Sequence, residues 1–372
     1  MCTSLIYKDA AGRAYYGRTL ELTVDLPYQV AYLPPGNAVT SEVTGHPPLG
    51  YKSQHRILAV TMPARVPTSD APTTIADLKV LEGLNDKGLT FSVLSYPTAA
   101  GKPQALDPAR PALAVVDLGT WTLGQFATVA EVKAALAGQQ IAIVPLGILG
   151  GAPSPFHYVL HDATGASIVV EFDHGELTVY DNPVGVMTNA PRFSWHLTNL
   201  DNYTFLSNVD QPVAQFGDYK AVQPDSGIAT SGLPASNTSV GRFVRAVYYA
   251  TFTEKADSPD VAIQTLAHIL NNFDRPRGAT IDYPEANGAS HLEVQGLDTG
   301  AGERYATEFT SWTSMIDLGR QLLFVRDYHS INFASFDLAK FAALDKPAVI
   351  PLERVRSGVW DASDIMTGPK AA

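Results

Sequence analysis

Short apolar runs, broken repeatedly by glycine, proline and Asx turns, set the pattern of this chain. Ile6-Tyr7, a turn at 9–12 and the run 15–20 read as strand, turn, strand, which predicts a hairpin at the very N-terminus. Residues 56–62 (RILAVTM) predict another strand, and 84–89 a turn feeding a strand at 90–94. Further on, 157–161, 167–172 and 177–180 alternate with turns at 162–165 and 173–175, the pattern of an antiparallel meander. Helices fall between these groups. Thr128, with Glu131 three residues later, caps a helix over 129–136. Ser258-Pro259-Asp260 starts a helix running over 261–273, and 242–253 is a third. Strands follow at 305–315 and 321–328. Grouped antiparallel strands with helices between the groups predict a layered α+β fold. No internal repeat is present. The most linker-like stretch, 210–238, is too long for an ordinary connection and reads as a functional loop. The expectation is one domain over 1–360 with a frayed tail at 361–372.

Composition narrows the class. Of 372 residues, 45% are apolar and 17% charged, which supports a sizeable core and excludes disordered, collagen-like and coiled-coil chains. The net charge is −11 and no Lys/Arg run reaches three, so no nucleic-acid partner is expected. An anionic small substrate remains compatible, because the field inside a pocket outweighs the sum of charges. The longest apolar stretch, 141–149, is interrupted by Pro145 and Gly147 and is far short of the ~20 residues that span a bilayer. The first residues lack a basic segment followed by an apolar one, so the expectation is a cytoplasmic protein with no membrane span.

The single cysteine, Cys2, rules out an internal disulfide and zinc-finger or iron–sulfur spacings. His157 and His161 are four apart, but on a strand and without a completing cluster, so no metal is expected. No G-x-S-x-G elbow, P-loop or dinucleotide fingerprint occurs.

Position 2 gives the cysteine its interest. Initiator methionine is removed when the next side chain is small, which would leave Cys2 with a free α-amine. An α-amine titrates at ~7.7–8.0 and can serve as a base. Beside it a thiol is a strong nucleophile once deprotonated, so one residue supplies both groups. Arg18 and Glu21 lie on the return strand of the predicted hairpin. An arginine there can reach the N-terminal residue and favour the thiolate, while Glu21 can hold the α-ammonium or orient Arg18.

These residues carry a resemblance. Met1-Cys2-Thr3 followed by Tyr16-Gly17-Arg18-Thr19-Leu20-Glu21 is similar to the start of the choloylglycine hydrolase and penicillin V acylase family, N-terminal-nucleophile hydrolases that cleave linear amides. Residues 83–89 (GLNDKGL) resemble the family's Asn-Glu-x-Gly-Leu turn. The block 182–191 (NPVGVMTNAP) with 199–203 is the most specific, and 232–234 with 241–245 (GRFVR) the last strong one. The resemblance implies a four-layer αββα sandwich, amide hydrolysis through a Cys2 S-acyl-enzyme, and no cofactor. It implies a homotetramer and a small-molecule amide substrate of the conjugated bile salt or penicillin V type. Carried over residue by residue, Cys2 matches the nucleophile and Arg18 the arginine beside it. Asn189 matches the oxyanion-hole asparagine, and Arg242 the arginine of the polar network. Glu21 stands where the family usually has aspartate. Ser95 stands where bile salt hydrolases have asparagine and penicillin V acylases tyrosine; that position gives a backbone N–H to the oxyanion hole, which a serine can supply. Tyr96 is adjacent and can fill vacated space. The alternatives are an acyl-homoserine-lactone or fatty-amide acylase of the same family, and a non-catalytic binding protein on this scaffold.

Overall fold

The structure is a computed structural model that describes residues 1–97, 104–283 and 305–359. The tail at 361–372, expected to fray, lies outside the described residues. Two antiparallel sheets pack face to face. The six-stranded sheet runs, in spatial order, Val186–Met187, Cys2–Lys8, Ala14–Leu22, Phe309–Asp317, Leu322–Asp327, Ala334–Asp337. The eight-stranded sheet runs Glu176–Asp181, Ser167–Asp173, Phe156–His161, Thr90–Ser95, Leu78–Asn85, Ile57–Pro63, Gln29–Leu33, Ala348–Pro351. Helices Ser239–Phe252 and Pro259–Asn271 cover the outer face of the first sheet; Leu118–Gln125 and Val129–Leu136 cover the second. The result is the αββα sandwich. Among the described residues no helix is long and apolar enough to cross a membrane.

This layering changes what a polar residue on a strand means. The central strands of a sheet covered on both faces are buried at almost every position, so alternation there no longer separates inside from outside, whereas Leu322–Asp327, nearer the edge, still alternates. All nine residues of Phe309–Asp317 are buried, and so are the first eight of Ala14–Leu22. Arg18, Thr19 and Glu21 are therefore interior groups. Gly17 lets the outer helix sit close: a Cβ there would lie 2.8 Å from Leu270 Cδ1 and 3.1 Å from Leu266 Cδ1. That helix buries Ala262, Ile263, Leu266, Ile269 and Leu270, and each large aliphatic contributes about 1.5–3 kcal/mol over exposure.

The N-terminal hairpin, the meander and the helix Val129–Leu136, capped by Thr128, form where the pattern predicts. Leu118–Gln125 gave no signal, because seven of its eight residues are buried and no amphipathic stripe exists. The stretch 210–238 is more than a loop. It contains an exposed two-stranded hairpin, Val213–Phe216 with Tyr219–Val222, and a 3₁₀ turn at Ile228–Gly232.

Candidate active site

Strand Cys2–Lys8 lies between Val186–Met187 and the return strand, inside the six-stranded sheet. The register pairs Cys2 with Leu20 and Ser4 with Arg18. Side chains alternate along a strand, so Cys2, Ser4, Arg18 and Leu20 share the face that meets the second sheet, while Thr3, Thr19 and Glu21 face the helices. Cys2 is thus approached from two layers.

From the inner layer comes Arg18. Strands Leu78–Asn85 and Thr90–Ser95 pair only at Glu82↔Ser92, Gly83↔Phe91 and Leu84↔Thr90. Beyond Glu82 and Ser92 they part, and the freed carbonyls of Leu81 and Val93 accept Arg18 Nη1 at 3.1 and 2.8 Å. Arg18 Nη2 reaches Cys2 Sγ at 3.1 Å, Glu82 Oε2 lies 3.5 Å from Nη1, and the Trp312 ring lies 4.9 Å from the guanidinium carbon. Burial works against the Arg18 charge, but Cys2 and then Glu82 outweigh it and hold the arginine above its ordinary pKa.

From the outer layer comes Arg242, on helix Ser239–Phe252. Its Nη1 donates to the Cys2 carbonyl and, at 2.7 Å, to Thr3 Oγ1; Nη2 donates to Asn189 Oδ1 at 2.7 Å, and Nε to Asn237 O at 3.0 Å. Burial lowers the pKa of this arginine, partly offset by Glu21.

Asn189 ties the layers together. Its Oδ1 faces two donors, Cys2 N at 2.8 Å and Arg242, which fixes the amide so that Nδ2 donates to Ser95 O at 2.8 Å. One Nδ2 hydrogen is committed there, which leaves the other for a ligand. Asn189 is buried and fastened at both backbone atoms, its N–H to Ser239 Oγ at 2.9 Å and its carbonyl to His196 Nε2 at 2.8 Å. It is therefore no ordinary turn residue, and alanine there is not structurally neutral. Burial drives His196 down to about 4, so the ring is neutral and its proton sits on Nε2. Behind it, His157 bridges Thr188 O and Glu171 Oε1, each at 2.9 Å, and Glu171 accepts the Phe193 N–H.

The geometry of Ser95 follows from ladder parity. Tyr96 N donates to Pro155 O at 2.6 Å, so bonds to the 156–161 strand leave from even-numbered residues. The Ser95 N–H and C=O therefore point to the opposite edge, where the next strand has parted. Asn189 takes the carbonyl, and the N–H faces the same gap. Phe91, two strand periods earlier, packs against Gly119 of the outer helix, so the Ser95 side chain points away from Cys2. Tyr96 stacks on His157 at 4.9 Å, with 6° between the rings.

Glu21 departs from the expected pairing. Residues three apart on a strand lie on opposite faces, so Glu21 does not orient Arg18; the carboxyl beside Arg18 is Glu82. Both Arg18 and Glu21 are fully buried, so each also belongs to the interior packing of the sandwich. Glu21 Oε1 accepts from Thr310 Oγ1 at 3.2 Å, and its Oε2 has no hydrogen-bond partner. Burial raises the Glu21 pKa, opposed by Arg242 and the terminal ammonium. Met1 extends the ladder: Glu21 N donates to Met1 O at 2.7 Å, and the Met1 ammonium meets Glu308 Oε1 at 3.1 Å.

The structure thus brings Cys2, Arg18, Asn189, Arg242 and the Ser95 backbone into one cluster, with Glu21 on its helical side. Reading the sequence missed Glu82, Glu171, His157 and His196 as supports; the only signal was their polarity within apolar strands or beside the Asn189 block. Among the described residues no group of three or more His, Cys, Asp or Glu could hold a metal ion. Tyr28, whose ring meets Trp312 edge-on at 6.0 Å, lines an open cavity of about 260 Å³ whose walls also carry Asp25, Asp327, His329, Glu353 and Arg356 and include none of the clustered residues.

The family model for linear amide C–N hydrolases of the choloylglycine hydrolase family matches residues 2–291. A bile salt hydrolase/transferase of Clostridium perfringens is 25% identical over 342 residues, 91% of this chain and 93% of that protein. A penicillin V acylase of Pectobacterium atrosepticum is 30% identical over 175 residues, 45% of this chain and 40% of that protein. The fold is that of a variant of the conjugated bile acid hydrolase from Clostridium perfringens, with a TM-score of 0.77 at 22% identity over 97% of this chain and 99% of that one. With a family model matched over residues 2–291 and relatives spanning nine-tenths of its length, the chain belongs to the choloylglycine hydrolase family of linear amide C–N hydrolases.

Proposed function

We propose that this linear amide hydrolase works through an S-acyl intermediate on Cys2 once Met1 has been removed. The observation that carries the reading is the convergence on one residue: Arg18 at 3.1 Å from Sγ, and Asn189 bridging Cys2 N and Ser95 O at 2.8 Å each. The Cys2 α-amine takes the thiol proton, and Arg18 favours the thiolate so formed. The thiolate attacks the amide carbonyl carbon. The developing oxyanion meets the second Asn189 Nδ2 hydrogen and the Ser95 N–H, donors fixed before the charge appears. The α-ammonium returns its proton to the leaving amine, and a thioester remains. Water, deprotonated by the same amine, adds to the thioester; collapse releases the carboxylic acid and regenerates the thiol. Glu21 and Arg242 hold the amine side of Cys2: the first by charge, the second through the Cys2 carbonyl.

The substrate is read as a conjugated bile salt or penicillin V type amide, in line with the names of the relatives. The test is a panel of penicillin V, glycine- and taurine-conjugated bile salts, an acyl-homoserine lactone and a fatty amide, run with the wild type and Cys2→Ala. Turnover of penicillin V or of the bile salts, abolished in Cys2→Ala, supports the reading. Turnover surviving Cys2→Ala would refute the mechanism, and binding without turnover would restore the non-catalytic alternative.

We also infer self-association, in the tetramer the resemblance implies. The support is the hairpin at 213–222, where Phe216 and Tyr219 are 68% and 70% exposed. Light scattering should give a multiple of the 39.9 kDa chain, lowered by Phe216→Asp.

A further inference from the structure

Behind the cluster just described lies a buried polar group that the mechanism does not use. Glu82 is fully buried on strand Leu78–Asn85, in the last cross-strand pair before that strand leaves its neighbour. Its Oε2 lies 3.5 Å from Arg18 and accepts the Ser92 hydroxyl; Ser92 Oγ is 2.6 Å from Tyr16 Oη. Ser92 has one hydrogen, so when it donates to Glu82 the Tyr16 hydroxyl donates to Ser92. Two hydroxyls in line then favour negative charge on Oε2. Glu82 Oε1 has no hydrogen-bond partner. The charged and titratable groups around Glu82 are few: Arg18 and Tyr16 from the return strand, Cys2 on the far side of Arg18, and His161, whose ring is 4.8 Å from Tyr16. Burial keeps His161 neutral, driving it down to about 3. Strand Ile57–Pro63 offers only Val60 opposite Glu82.

Arg18 thus stands between two groups that can be anionic, Cys2 Sγ and Glu82, where no solvent screens a second charge. We propose that Glu82 is a positioning residue that competes with Cys2 for Arg18, so that only one of the two carries negative charge beside the guanidinium at a time. The proposal rests on Cys2 being the nucleophile. Burial, opposed first by Arg18 and then by Ser92, pushes Glu82 up to about 8, into the range where an ordinary thiol titrates, so that the carboxyl becomes an anion in the same pH range and contends for the same guanidinium. The two protons then belong to a coupled pair, and changing one partner moves the other.

The test is the rate of Cys2 alkylation by iodoacetamide against pH, located by peptide mass on protein lacking Met1. Glu82→Gln keeps the shape, since the free Oε1 position accommodates an amide, but cannot be anionic. Arg18 is then left to Cys2 alone, and the midpoint of the alkylation profile should fall by about one to two pH units, with the acid limb of kcat/KM following. Ser92→Ala, a gentler change, removes a donor to the carboxylate and should move the midpoint the same way by a smaller amount. A folded Glu82→Gln with an unchanged or raised midpoint would overturn the proposal. So would an unchanged midpoint in Ser92→Ala, which decides the matter if Glu82→Gln does not fold. A wild type whose Cys2 alkylates no faster than cysteine in an unfolded peptide, at any pH, would overturn the nucleophile reading itself. That failure is distinguishable, because it appears before any variant is made.

Discussion

Two buried arginines meet at Cys2, and they are held in opposite ways. Arg18 has a carboxyl at 3.5 Å and the thiol at 3.1 Å, and these partners hold its pKa up in spite of burial. Among the described residues Arg242 donates to no carboxylate; it is satisfied by neutral oxygens from Cys2, Thr3, Asn189 and Asn237, and burial pulls its pKa down, partly offset by the charge of Glu21. Arg18 is placed to control charge, because its neighbours can gain or lose protons. Arg242 is placed to hold geometry, because the oxygens it donates to cannot, and Glu21 acts on it only by charge at a distance.

The largest difference should appear in Arg242→Leu. The Cys2 carbonyl, Thr3 hydroxyl and Asn189 Oδ1 each lose a buried donor, and a buried polar group left unsatisfied costs about 1–3 kcal/mol. Thermal unfolding should show a loss of several kcal/mol, and kcat should collapse without any movement of the pH limbs. A shifted limb would erase the contrast with Arg18.

Asn189→Ala should come next, lowering kcat by ~10²–10³-fold while KM changes little, because an oxyanion donor acts on charge present only in the transition state. Its melting temperature should also fall, since Cys2 N, Arg242 and Ser95 O all lose a partner. Lowered stability with near-normal kcat would make Asn189 a structural post, and Asn182 or Asn199 would be tested next.

Arg18→Leu should be better tolerated than Arg242→Leu by the same unfolding measurement, because Glu82, deprived of its cation, can remain protonated. Its signature is a pH profile: the acid limb of kcat/KM should move up by about one to two pH units, opposite in sign to Glu82→Gln. An unchanged profile with full activity would leave Arg18 as packing.

The smallest effect, absent at neutral pH, concerns His161 behind Tyr16. Its folded pKa of about 3 lies below the ordinary 6.5, so the unfolded chain binds the proton first. The resulting stability is complete above pH 6.5 and is lost as pH falls from there toward 3. By pH 5 the loss is about 2 kcal/mol, and His161→Phe should flatten that slope in a pH series of melting temperatures.

Cys2 was legible because it is the only cysteine and stands at position 2; Arg18, Asn189 and Arg242 were legible through motif blocks in order. The N-terminal hairpin announced itself by its turn, and the meander by its alternation. What stayed hidden was whatever depends on the second layer. Glu82 gives no sign in sequence that it will meet Arg18, since that meeting is made by two sheets packing and two strands parting. The misreading of Glu21 had a simpler cause. Proximity in sequence suggested a pair with Arg18, but a strand sends residues three apart to opposite faces. Leu118–Gln125 was hidden because a fully buried helix has no polar face to set its period, and the hairpin at 213–222 because neither face of it is covered.

The most direct test of the account is the intact mass of wild-type enzyme quenched in acid during turnover of its best amide, followed by peptide mapping. The expected result is a chain that begins at Cys2, a fraction of it heavier by the acyl part of the substrate, with that mass on the Cys2 peptide and removed by hydroxylamine as a thioester would be. Fully active protein that retains Met1, or an acyl group found on any other residue, would contradict it.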